Sequence, residues 1–134
     1  MSQVDRLVSH TGSCHCQTIV FEVRTPEGEL EVEECNCSIC KKKAYLHLIV
    51  PKTRFQVIQG KEFLSKYTFN THLAEHLFCG RCGVAPFYVP RSNPDGIDVN
   101  VRCIDTDLRY KVVSFDGRDD WENCAKRVEH KSKE

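Results

Sequence analysis

The sequence has no apolar run long enough to cross a bilayer. Its longest, such as "LHLIV" at 46–50, fall far short of the roughly 20 residues that a membrane helix needs. The N-terminal stretch "MSQVDRLVSHTG" has no apolar core of signal-peptide type. There is also no excess of charge of one sign. Nineteen Lys and Arg residues balance nineteen Asp and Glu residues, so no global field draws the chain to nucleic acid or to an anionic membrane. No internal repeat, low-complexity block or Pro/Ser-rich linker interrupts the 134 residues. The expectation is one domain over 1–134, large enough to bury a core covering roughly two-thirds of its unfolded surface. The polar end "KRVEHKSKE" leaves 127–134 as a flexible tail. The expected location is cytoplasmic, with the nucleus as a second compartment, and neither membrane nor nucleic acid is expected as a partner.

Cysteine, by contrast, is abundant. Nine in a chain of this size, without a secretory signal, point to metal binding over a disulfide framework, because a reducing compartment keeps thiols free to ligate. The odd total agrees.

Most of the remaining pattern is that of strands. In "TIVFEVRT" Ile19, Phe21 and Val23 alternate with Val20, Glu22 and Arg24, the period-two signature of a half-buried strand, and "TPEGE" follows as a turn. "LEVEE", "AYLHLIV", "RFQVIQG", "FLSKYTF", "EHLF", "APFYV", "IDVNVR" and "YKVVSF" are further short segments rich in β-branched and aromatic residues. The chain reads as mainly β. One short C-terminal helix is expected at "RDDWENCAKRV", capped by Asp119 or Asp120.

The cysteines fall into three clusters. Cys14 and Cys16 in "GSCHC" would point to one side of an extended strand, and Cys79 and Cys82 in "FCGRCG" share a turn in which Gly80 and Gly83 allow left-handed backbone. Two plus two thiolates close a tetrahedral structural zinc site. The middle cluster in "ECNCSICKKK" brings Cys35, Cys37 and Cys40 within six residues. It reads in two ways: as an open three-ligand site of catalytic type, or as a closed site completed by Cys103, Cys124, His15 or His47. An open three-thiolate zinc suits a soft ligand such as a substrate thiol. Lys41, Lys42 and Lys43 read either as a solvated basic turn or as a receiver for carboxylates, which together with the open site would suit a small anionic thiol.

Taken in order, "GSCHCQTIVFEV", "CNCSICKKK", "FCGRCGVAPFYV", "VNVRCID" and "FDGRDDWE" resemble the glutathione-dependent formaldehyde-activating enzyme family, which includes centromere protein V, over about residues 12–122. The resemblance implies an Mss4-like fold of several twisted antiparallel sheets. It also implies two Zn2+ ions per chain, a structural one on Cys14, Cys16, Cys79 and Cys82 and a catalytic one on Cys35, Cys37 and Cys40. The implied activity is that of a carbon–sulfur lyase with glutathione as substrate and an aldehyde as second partner, forming or cleaving S-hydroxymethylglutathione.

Two other readings compete. One is a non-catalytic, zinc-stabilised interaction protein of the centromere protein V type, against which stands the lack of a long basic extension. The other is a redox dithiol protein, disfavoured because coordinated thiolates do not readily cycle. The expected oligomeric state is a monomer or weak homodimer. Cys103 reads as a buried small hydrophobe and Cys124 as incidental. His47, His72 and His76 read as residues of strand faces and not as ligands, and "FDGRDDWE" as a turn at Asp116 and Gly117 with Trp121 packed on the sheet.

Overall fold

The computed structural model describes residues 6–134, so the first five residues of the N-terminal stretch lie outside the described chain. Ten strands, two α-helices and short 3-10 turns follow one another as β1 (Leu7–Ser13), β2 (Val20–Pro26), β3 (Leu30–Cys35), α1 (Ser38–Lys43), β4 (Leu46–Pro51), β5 (Phe55–Gln59), β6 (Leu64–Tyr67), β7 (His76–Cys79), β8 (Phe87–Tyr88), β9 (Gly96–Asn100), β10 (Tyr110–Phe115) and α2 (Trp121–Val128). They form three sheets, with strand orders β1-β2-β5, β10-β3-β4-β9-β8 and β6-β7. Every pairing is antiparallel except β3 with β10, which run parallel from Leu30↔Tyr110 to Cys35↔Phe115. The mainly-β expectation holds.

Strand alternation explains how the five-stranded sheet serves two purposes. Side chains two apart share a face. Val32, Leu46, Leu48, Val50 and Val99 therefore point one way and join Phe21 and Val23 of the smaller sheet in the main core. Phe87 closes that core, with its ring centroid 4.7 Å from that of Phe55 and 6.0 Å from that of Phe21. The opposite face carries the alternate residues. Glu33 sits across from His47 and Ile49 across from Asp98, with Tyr88 on the far side of Asp98. This second face is polar in its centre, and α2 covers one side of it through Cys124 and Val128, packed with Ile49 and Phe115.

Two stretches depart from expectation. Expected as a single turn, residues 38–43 wind into the six-residue helix α1, which is flanked by Cys37 at the N-cap and by Ala44 in left-handed conformation at the C-cap. The tail expected at 127–134 is instead packed: a 3-10 turn at Glu129–Ser132 continues α2, and buried Asn93 donates through Nδ2 to the Val128 and Glu129 carbonyls. Lys131 of this segment pairs with buried Glu33. A polar composition reads as a loose end, but here the polar groups meet buried partners. At the start of α2, Asp120 occupies the cap position, yet its carboxylate accepts from the Asn123 side chain and not from the backbone.

Candidate metal centres and cleft

Cys14 and Cys16 lie on the loop between β1 and β2, not in an extended strand, because Gln17 takes a left-handed φ of 63° that turns the chain back. The two sulfurs are nonetheless 3.7 Å apart, and Cys16 is 3.7 Å from Cys79. All four sulfurs of Cys14, Cys16, Cys79 and Cys82 lie within 4.8 Å of one another. A tetrahedron with bonds of ~2.3 Å has edges of about 3.8 Å, so these thiols fit one tetrahedral ion without rearrangement. Backbone donors support negative sulfur: Ile19 N–H donates to Cys14 at 3.3 Å, and the N–H groups of Arg81 and Cys82 donate to Cys79 at 3.3 and 3.4 Å. Gly83 has the expected left-handed φ of 82°, while Gly80 serves by close approach, its Cα facing the Phe63 carbonyl. Burial raises the Cys14 thiol to about 11, whereas the Thr18 hydroxyl holds exposed Cys16 down near about 6.

The middle cysteines also converge. Cys35 ends β3, Cys37 precedes α1 and Cys40 lies buried within it, with the three sulfurs inside 4.8 Å. Hydrogen bonds from Cys35 and then Cys40, helped by backbone N–H groups at the helix start, pull Cys37 down to about 2. The hydrogen bond to Cys37 pushes Cys35 up to about 11, and those to Cys35 and Cys37 push Cys40 well above the thiol range. Among the described residues no fourth Cys, His, Asp or Glu ligand atom joins the three within that distance, and Cys103, Cys124, His15 and His47 are not brought to them.

The segment "FDGRDDWE" holds this loop from behind. Asn36 accepts through Oδ1 from the Gly117 and Arg118 N–H groups and donates through Nδ2 to Asp116. Gly117 then lies so close that a Cβ there would stand 2.7 Å from the Cys35 sulfur. The expected turn at Asp116 and Gly117 is present, but its role includes seating the cysteines.

The trio opens on a cleft of about 490 Å3, whose floor is the polar face of the five-stranded sheet. His47, His76, Asp98, Arg91, Arg118 and Trp121 are among its lining residues. His47 Nδ1 lies 2.7 Å from Asp98 Oδ2 in a pair only 5% and 2% exposed. His76 stacks on Tyr88 at 4.9 Å, and burial lowers it to about 4. The guanidinium of Arg91 sits 3.5 Å over the Trp121 ring. The third histidine singled out, His72, is exposed, bonded to Thr68 and outside the cleft.

None of Lys41, Lys42 and Lys43 lines this cleft. Lys41 and Lys42 project to solvent from α1, and Lys43 is half-buried. The cations that face the cleft are Arg91, which belongs to no motif, and Arg118, which lies inside the segment "FDGRDDWE". Cys103 is buried as expected, and Cys124 is buried on the inner face of α2.

Comparison with known proteins fits this geometry. The family described as glutathione-dependent formaldehyde-activating enzyme matches residues 9–115. A Halomonas elongata protein named for that family is 31% identical over 105 residues, 72% of this chain, which spans 66% of that relative's length. A crystal structure of a Rhodobacter sphaeroides protein superposes with a TM-score of 0.66 at 29% identity, covering 75% of this chain and 99% of that one. With its Mss4-like, mainly-β architecture, the chain belongs to the glutathione-dependent formaldehyde-activating enzyme family.

Proposed function

We propose that the chain is a zinc-dependent carbon–sulfur lyase that binds glutathione and forms or cleaves S-hydroxymethylglutathione, or a related thiol adduct, at the three-cysteine site. The observation that carries this reading is the asymmetry of the two cysteine sets. One offers four sulfurs and is complete as a tetrahedral set; the other offers three, gains no fourth protein ligand among the described residues, and borders a cleft. That is the difference between a closed structural site and an open catalytic one.

Cys14, Cys16, Cys79 and Cys82 would hold the structural ion and Cys35, Cys37 and Cys40 the catalytic one. A zinc ion at the second site supplies positive charge that favours a thiolate or polarises an aldehyde oxygen. The side chains do the rest. Arg91, stacked on Trp121, and Arg118 present guanidinium donors suited to the carboxylates of glutathione. Ile39 and Phe115 border the cleft as apolar wall and limit water around the reacting atoms. Holding thiol and aldehyde together accelerates an addition that already proceeds unaided, through orientation more than through new chemistry.

The test is the rate of interconversion between glutathione plus formaldehyde and their adduct, followed by NMR exchange on protein carrying a measured metal content. The expected result is two zinc equivalents per chain, glutathione perturbing only one of them, and acceleration that disappears in Cys37→Ala. Equal rates for wild type and Cys37→Ala would refute the lyase reading.

A further inference from the structure

Buried polar atoms are almost always hydrogen-bonded. Among the described residues four buried side-chain atoms lack a hydrogen-bond partner, and three of them, Glu33 Oε2, His47 Nε2 and Asp98 Oδ1, belong to residues lining the same cleft. The strand register places all three on one face of the sheet. Of these, His47 is the group with both a fixed orientation and a free proton-carrying atom. Asp98 accepts only, so the 2.7 Å contact puts the ring proton on Nδ1. Nε2 is then a lone-pair acceptor. Tyr45, whose hydroxyl donates to the Asp98 carbonyl at 2.6 Å, and Tyr88, packed edge-on to Tyr45 at 5.3 Å, keep the pair in place. The ring is not a ligand of the cysteine site, since neither nitrogen falls within 4.8 Å of all three sulfurs.

We propose that His47 is the proton carrier of the reaction and that Asp98 is its positioning residue, a role that rests on the lyase reading above. In synthesis Nε2 takes the thiol proton. The sulfur electron pair then forms the C–S bond, the C=O π pair moves onto oxygen, and His47 returns the proton to that oxygen. In cleavage the hydroxyl proton passes to Nε2, C=O re-forms and the C–S bond breaks to leave the thiolate. Protons and electrons balance within the two substrates, so no further reactant enters. A base oriented by a buried carboxylate is a recurrent arrangement in general acid–base catalysis.

The experiment uses zinc-loaded protein in the same NMR exchange assay, with glutathione affinity measured in parallel. His47→Gln is expected to lose about 100-fold of the acceleration with unchanged glutathione affinity, the usual scale for removing a general acid–base. In His47→Ala, added imidazole is expected to restore part of the rate, a rescue that a purely structural role would not show. Asp98→Asn is expected to reduce the rate while keeping Nε2 in the site. Because a variant can fail to fold, the wild-type imidazole 15N resonances supply a readout that needs none: formaldehyde added to the glutathione complex should shift Nε2 more than Nδ1. If wild type accelerates exchange and folded His47→Gln matches it, the proton-carrier role is overturned and the lyase reading stands. If wild type matches Cys37→Ala, the lyase reading fails and takes this inference with it. An Nε2 resonance unmoved by the adduct also overturns the role.

Discussion

Gly117 has no room for a side chain. A Cβ would lie 2.7 Å from the Cys35 sulfur and 3.0 Å from the Cys37 Cβ, residues that flank Asn36, whose side chain accepts from the Gly117 N–H. Gly117→Ala should therefore spread the three sulfurs while leaving the four-cysteine set untouched. The expected loss is about 1–3 kcal/mol from overpacking, together with weakened metal retention at one site of two, read from thermal unfolding and metal content. His76 makes a second, electrostatic prediction. Burial lowers its folded value to about 4 from 6.5, so between those values the unfolded chain binds the proton and the folded chain does not. Its contribution is thus intact above pH 6.5 and lost as pH falls toward 4. The stability difference between wild type and His76→Phe, from urea midpoints at each pH, should shift in favour of the variant across that window; a flat difference would contradict it. The two residues also mark what single letters reveal. The cysteines were legible because their spacing is covalent and short. Gly117 owes its role to Cys35 and Cys37, far away in the sequence, and His76 to the rings of both Phe69 and Tyr88, an arrangement that only the folded sheets create.

Among the elements, the packed C-terminal one departs furthest from its polar composition and has the clearest energetic consequence. Glu33 is 2% exposed, and Lys131, in the turn after α2, is its closest cation, with Arg127 farther off at 3.7 Å from its second oxygen. Removing one partner of a buried pair leaves the other charge uncompensated. Lys131→Met should cost about 3 kcal/mol, the low end of the usual range because Arg127 remains, and a double variant with Glu33→Gln should recover part of it. Chemical denaturation of the single and double variants checks both. Asn93, which donates to Val128, Glu129 and Ser132, ties the same segment from the other side. Strands were legible from alternation, even in β4, where buried His47 interrupts an apolar run without breaking its period. The parallel β3–β10 pairing was not, because it joins segments about eighty positions apart through register alone. That pairing sets Phe115 beside Cys35 and so delivers "FDGRDDWE" to the cysteine trio. The cleft is a product of pairings that local pattern cannot encode, which is why its arginines are not legible in the sequence while Lys41, Lys42 and Lys43 fall outside its lining.

At the scale of the whole molecule the two cysteine sets should be unequal contributors to folding. The four-cysteine set joins the β1–β2 loop to the end of β7, with Cys16 and Cys79 separated by 63 positions. The trio closes a loop of no more than six residues. If each set holds a metal only in the folded chain, both stabilise it by mass action, but the long-range clasp also restricts a far larger loop. Loop-closure entropy grows with the logarithm of loop length, and that term alone favours the four-cysteine set by about 2 kcal/mol. The clasp further pins the small sheet to the main core, in which Cys14 and Cys79 are themselves buried members. Cys79→Ser should accordingly lower the unfolding midpoint severely or abolish folding. Cys37→Ser should leave a folded chain with one metal and no acceleration of adduct exchange. Metal analysis with circular dichroism separates the cases, and a graded chelator titration of wild type should repeat the order, with activity lost at chelator levels below those that unfold the chain. Simultaneous loss of fold and activity would mean that the trio is as structural as the clasp, and the division between a closed site and a working one would fall.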